Sequence, residues 1–264
     1  MILAGFVLLS IGLADILRRF LRGAAFWIGV AIAALLLLVV GVLGAACTYA
    51  AIGIVLAVLW AWLFPLDGQP RLSFWPAVLL AVLVAASVAI MPARASTGLF
   101  DGRWLATPVG PVGFDLLVLG VGVFAALLET GNVIVRAALT EEEASLPADV
   151  VPAEIAMVQP PVILGPGTPT APTPSSHVPV ADPGFRGGRL IGPLERVLVL
   201  LLTLVAAYAL LAAMLAAKGI VRFPEISRDG ASGARAEYFL VGSLVSWVVA
   251  LGGAMLLWWA TRAA

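Results

Sequence analysis

Forty-two consecutive residues, Gly23 to Phe64, carry no charged side chain. One helix of that length would measure about 63 Å at 1.5 Å per residue, roughly twice the hydrocarbon thickness of a bilayer. Two spans joined by a tight turn near Gly41 to Cys47 fit the run better, and Pro65, Asp67, Gly68 and Pro70 close it with turn chemistry. The rest of the chain agrees with a lipid solvent. Of 264 residues 62% are hydrophobic and 11% charged, and the mean hydropathy is +1.10.

The expected fold class is therefore an all-α polytopic integral membrane protein of about seven transmembrane helices. Met1 to Leu17 is a first apolar run without a preceding positive segment, followed by Arg18, Arg19 and Arg22. That order fits a retained span with its basic end in the cytoplasm and the N-terminus outside, not a cleaved signal. A fourth span is expected from Phe74 to Met91, a fifth from Val112 to Ala138, and two more over Leu190 to Ala217 and Glu237 to Trp259. Seven crossings put the C-terminus inside, with nine basic residues on the cytoplasmic side and six outside, a modest bias.

Between Ala144 and Pro183 lie ten prolines threaded with Thr, Ser and Gly. Such a stretch has little to bury and few amide hydrogens to offer a helix, so it reads as an extended cytoplasmic linker. The expected domains are an N-terminal membrane region over 1–139, a flexible loop over 140–187 and a two-helix membrane module over 188–264.

Composition excludes several function classes. Fifteen basic and fifteen acidic residues give zero formal charge, which is not the basic footprint of a nucleic-acid binder. Cys47 is the sole cysteine and His177 the sole histidine, so no zinc or haem site can be assembled and no cofactor is expected. Phosphate-loop, nucleophile-elbow and HExxH patterns are absent from the sequence, and no catalytic residue is assigned.

Candidate functional residues are the ionisable groups placed on or beside spans. Asp115, Gly122, Glu129 and Arg136 recur every seven residues, with Asn132 three after Glu129, so they line nearly one helical stripe. Two readings fit: interhelical glue with Arg136 reaching the surface, or a proton- or ion-coupled site at Glu129 and Asn132. Asp115 suits the N-terminal end of its helix. Glu195 and Arg196 open the sixth span, where Glu195 could pair with Arg136 and Arg196 with Glu129. At the far end of that span Lys218 and Arg222 share a face, Glu225 follows the helix-breaking Pro224, and Glu237 and Tyr238 begin the seventh span. Lys218 or Arg222 is expected to pair with Glu237, in a cluster about 30 Å from the first. Gly242, Ser243, Ser246, Gly252 and Gly253 read as helix-packing positions.

Three segments in order, GRLIGPLER at 188–196, AAKGIVRFPE at 216–225 and EYFLVGSLVS at 237–246, resemble an uncharacterised bacterial membrane family with a DUF3307-type C-terminal half. GNVIVRAAL at 131–139 resembles a further motif of that family, while Gly219 and Ser243 depart from its common serine and threonine. The resemblance implies a bacterial cytoplasmic membrane protein and imports no chemistry. Expected partners are membrane lipids and a membrane or cytoplasmic protein, or a second copy of the chain. A scaffold or accessory subunit of a membrane complex is the first functional expectation. A transporter of a small solute, ion or lipid is the second, and a lipid-modifying enzyme the third.

Overall fold

The computed structural model describes residues 1–64, 74–91, 94, 96–102, 105–107, 110–145, 188–227 and 234–263. The described chain is predominantly helical, with nine α-helices among those residues. The helices are α1 (Ile2–Phe20), α2 (Ala24–Leu43), α3 (Cys47–Leu63), α4 (Trp75–Ile90), α5 (Phe114–Ala125), α6 (Gly131–Ser145), α7 (Gly188–Leu204), α8 (Tyr208–Ser227) and α9 (Ala234–Ala263). A π turn, Ala126–Thr130, joins α5 to α6 without a break. Among the described residues three helical stretches are long and apolar enough to cross a membrane: Ala24–Leu43, Phe114–Thr140 and Phe239–Ala263. The chain between α4 and α5 also forms a short antiparallel pair, β1 (Leu105–Thr107) with β2 (Gly110–Val112).

The first helix occupies the centre. Met1, Ile2, Phe6, Val7 and Ile11 are buried, and α1 packs on α2, α3, α4 and α5. Small residues permit this. A Cβ on Gly5 would lie 2.8 Å from the Leu119 backbone nitrogen, and one on Gly122 only 2.6 Å from the Gly5 carbonyl oxygen. Backbones at such range exclude any side chain between them, the packing mode favoured where no hydrophobic drive pushes helices together. The forty-two-residue run folds as expected into a helical hairpin, turning through Gly44 to Ala46 with Ala45 at φ 50°.

The expected single span over Leu190 to Ala217 is corrected. The helix stops at Leu204, turns through Val205 to Ala207 with Ala206 at φ 54°, and returns as α8. Residues 188–264 thus hold three helices instead of two. Helix α8 also continues through Pro224 to Ser227, so that proline does not end it. Likewise α6 runs to Ser145, past the expected boundary at 139, and the proline-rich linker from 146 to 187 lies outside the described residues.

Helix directions follow from neighbours. Gly5 meets Leu119 and Gly12 meets Ala125, so α1 runs parallel to α5. Gly242 lies beside Leu139 and Gly253 beside Val123, so α9 runs antiparallel to the α5–α6 rod. The end of α9 therefore points to the face where α1 begins, whereas seven crossings had put the two ends on opposite faces.

Candidate functional site

The polar groups form one charged layer toward the end of α1. Asp15 and Arg18, three apart on α1, form an ion pair there. Trp60 Nε1 donates to Asp15 Oδ2 at 3.1 Å, and Arg18 Nη1 donates to the Phe64 carbonyl at 2.7 Å. That carbonyl closes α3, where the last C=O groups lack helical partners. Arg19, on the next face of α1, reaches Glu129 Oε2 at 3.0 Å, and Asn132 Nδ2 donates to the same oxygen at 3.1 Å.

Arg196 is 2% exposed and crosses the layer. Its Nε donates to the Leu127 carbonyl at 2.8 Å, Nη2 to Asn132 Oδ1 at 2.6 Å and Nη1 to Ser246 Oγ at 3.4 Å. The Leu127 carbonyl belongs to the π turn, where the helical ladder loosens and a carbonyl becomes available to a side chain. Gly131 makes room for the guanidinium, since a Cβ there would sit 2.6 Å from Arg196 Nε. One arginine thus joins α6, α7, α9 and the π turn.

Next to it, Lys218 Nζ donates to both Glu195 carboxylate oxygens at 2.7 and 2.8 Å, and Trp247 Nε1 donates to Oε1 at 2.7 Å. The ammonium also lies 5.4 Å from the Trp247 ring centroid and 5.5 Å from that of Phe239, within cation–π range. This clamp joins α7, α8 and α9. A second polar cluster sits at the opposite end of the rod. Arg94 grips Asp115 through Nη2 at 2.5 Å and Nε at 3.1 Å, and donates to the Gly44 and Ala45 carbonyls at 2.8 and 2.9 Å. Fourteen residues separate Asp115 from Glu129, about 21 Å at helical rise.

Several expected pairings are corrected. Glu195 is held by Lys218 and Trp247, not by Arg136; Arg136 is exposed and its Nε reaches only back to the Asn132 carbonyl at 3.3 Å. Arg196 is held by Asn132, Ser246 and a backbone carbonyl, while Glu129 takes Arg19. Lys218 meets Glu195 because the α7–α8 turn brings it back, so Lys218 joins this layer instead of standing about 30 Å from it. The seven-residue stripe fails for a local reason. A π turn inserts one residue into the helical phase, rotating the downstream helix by about 100°, and Arg136 leaves the line that Asp115 and Gly122 define. Arg222 and Glu225 lie on α8, and Glu237 and Tyr238 on α9; the surroundings of their side chains lie outside the described residues. Asp115 does occupy the first turn of α5.

Sequence reasoning missed Asp15, Arg18, Arg19, Arg94, Trp60 and Trp247 as site residues. The Asp15–Arg18 spacing of three was the available signal for an ion pair on one helix face. Among the described residues no three His, Cys, Asp or Glu side chains come together. Outside the layer, Asp101 accepts from the Ser96 hydroxyl at 2.9 Å, the Thr97 hydroxyl at 2.8 Å and the Thr97 backbone N–H. The backbone donor, with the two hydroxyls, holds its carboxyl below the usual range.

No protein-family model, no curated protein and no solved structure matches this chain. The segments 188–196, 216–225 and 237–246 open α7, run along α8 and lie in the first half of α9. They supply Glu195, Arg196, Lys218 and Ser246 to the layer.

Proposed function

We propose that this chain is an integral membrane scaffold or accessory subunit, with its charged residues serving as fasteners and its lipid-facing helices as the surface for a partner. The observation that supports this reading is the state of the layer's carboxylates. Asp15, Glu129 and Glu195 are each bound by a cation and by a further donor, and at each of them at least one of the two comes from another helix. A coupling site needs a carboxylate able to exchange its proton or ion, and a carboxylate so engaged is poorly placed to do so. Helix α8 is the partner surface favoured here: none of its described residues is buried, and Leu210, Ile220 and Val221 are largely exposed.

The same reading gives a topology of six crossings with α7–α8 as a re-entrant hairpin. From Arg196 to Leu204 and from Tyr208 to Lys218 the legs rise about 12 and 15 Å, half of the ~30 Å hydrocarbon core. Lys218, Arg222, Arg228 and Arg235 then join the layer face and Arg262 leaves it, so twelve of the fifteen basic residues share one side. That is a far stronger positive-inside bias than seven crossings give, and it makes the layer face cytoplasmic with both chain ends outside.

The test is site-specific cross-linking in native membranes. In a Cys47→Ser background, a photoreactive label on cysteine placed at the exposed Ala213 of α8 should give a discrete adduct with one polypeptide, and a C-terminal alkaline phosphatase fusion should be active. The reading is overturned if the label meets only lipid while Glu129→Gln changes proton flux in proteoliposomes without changing the melting temperature.

A further inference from the structure

One opening in the bundle is lined by none of the charged pairs. A cavity of about 440 Å³ lies among α4, α9 and the π turn, with Leu8 of α1 at its back. Its wall is apolar apart from Thr130 and the indole of Trp259. It is not sealed: Val248 and Met255, on its rim, are 68% and 61% exposed. The rim belongs to Phe239–Ala263, one of the stretches long and apolar enough to cross a membrane, so the opening faces hydrocarbon.

Size favours one occupant. An apolar cavity of about 150 Å³ accepts one benzene, so three times that volume corresponds to roughly eighteen carbon atoms, the content of one lipid tail. The wall follows α4 from Phe74 to Ala85 and α9 from Val248 to Trp259, about 16 Å along each helix. That is an elongated shape, not a compact one.

Two residues in the wall are unexplained by packing within the protein. Gly252 and Gly253 are adjacent, yet only the second is needed for helix contact. A Cβ on Gly253 would lie 2.9 Å from Val123, whereas one on Gly252 would meet nothing within 4 Å. Glycine inside a helix costs up to about 1 kcal/mol against alanine, and no neighbour in the protein requires it there. Thr130 is 1% exposed and its hydroxyl has no partner among the described residues. It follows Glu129 directly, at the end of the cavity nearest the charged layer.

We propose that this cavity is a binding site for one acyl chain of a bilayer glycerolipid. The tail lies along Gly252 between α4 and α9, and its ester carbonyl accepts from the Thr130 hydroxyl. The site is independent of the scaffold reading, since none of the fastening residues lines it.

Native mass spectrometry of the full chain, exchanged into dioleoylphosphatidylcholine nanodiscs and released, tests this. The unmodified chain should retain one lipid more than Gly252→Leu, whose side chain fills the groove, with occupancy falling roughly tenfold. Ala81→Leu, from the opposite wall, should do the same, so failure of one variant to fold leaves the other decisive. Gly219→Leu is the control: a Cβ at Gly219 also meets nothing within 4 Å, but α8 does not line the cavity. Thr130→Val should weaken retention less than either wall substitution, and Thr130→Ser should retain the lipid. Equal retention by the unmodified chain and both wall variants overturns the proposal, as does an equal loss in Gly219→Leu.

Discussion

Replacing Arg196 with methionine tests the charged layer most directly. The methionine stem fills much of the same space, so the loss is mainly electrostatic. Gone are the 2.8 Å bond to the Leu127 carbonyl, the 2.6 Å bond to Asn132 and the longer one to Ser246. Breaking a buried charged network by removing one partner costs about 3–5 kcal/mol in water-soluble proteins. Side-chain hydrogen bonds between membrane helices average nearer 0.6 kcal/mol, because the unfolded state in lipid also finds partners. Two short charge-assisted bonds and one long bond place the expected cost between these limits, about 2–3 kcal/mol. For a chain of this size that lowers the melting temperature by roughly 4–12 °C. The assay is thermal unfolding in nanodiscs, run as a double-mutant cycle with Asn132→Leu. Coupling of about 1 kcal/mol or more between the two sites is expected, since they share a 2.6 Å bond. Arg196→Lys keeps the charge but cannot reach Leu127 and Asn132 together, and should fall between the parent and Arg196→Met. Additive effects of Arg196→Met and Asn132→Leu, or a melting temperature unchanged by Arg196→Met, would refute the reasoning.

Further outcomes are expected from separate parts of the structure. Gly122→Val should lower stability by about 3 kcal/mol, measured by the same melt, because its Cβ would press on the Gly5 carbonyl backbone at 2.6 Å. Ala206→Gly should raise stability by about 1 kcal/mol by relieving the left-handed conformation of the α7–α8 turn; a neutral or destabilising result contradicts that turn. Asp101 has a lowered carboxyl pKa, so its contribution to the 96–101 loop is present above the ordinary carboxylate value and fades as pH falls through the lower folded one. NMR of a labelled Thr97 amide should show its protection lost over that acid window, and Asp101→Asn should remove the pH dependence.

The helices were legible where apolar length and turn chemistry coincide. Gly44 and the surrounding small residues mark the α2–α3 turn, and Pro76 with the run to Ile90 marks α4. The α7–α8 turn was not legible, because Val205, Ala206 and Ala207 are apolar and neither glycine nor proline announces the reversal. Only the length of the run, longer than the ~20 residues one crossing needs, carried a hint. Half of the layer was readable residue by residue, as Glu129, Asn132, Glu195, Arg196 and Lys218 all belong to it, while Asp15, Arg18 and Arg19 were hidden at the end of an apolar run. Their partners were not, since each pairing depends on that unmarked turn and on a π turn that shifts helical phase. Trp60 shows the limit of composition rules: an indole near a helix end reads as an interface anchor, yet it donates to the buried Asp15 carboxylate.

These two irregularities also explain why the charges gather at one level. An unbroken helix from Leu190 would have carried Lys218 away from Glu195 by about 34 Å and left each with a separate need for a counterion in lipid. The reversal at Ala206 instead closes both charges on each other at the base of the hairpin. The adjacent Arg196, about 100° round the helix, then faces a different neighbour. It meets the carbonyl that the π turn makes available, with Gly131 leaving space for it. Each irregularity has a local cost, positive φ at an alanine and a loosened helical ladder, and each is matched by a charged group it satisfies. The turn and the bulge are therefore one device, and removing the charge that uses either should leave its distortion as net strain.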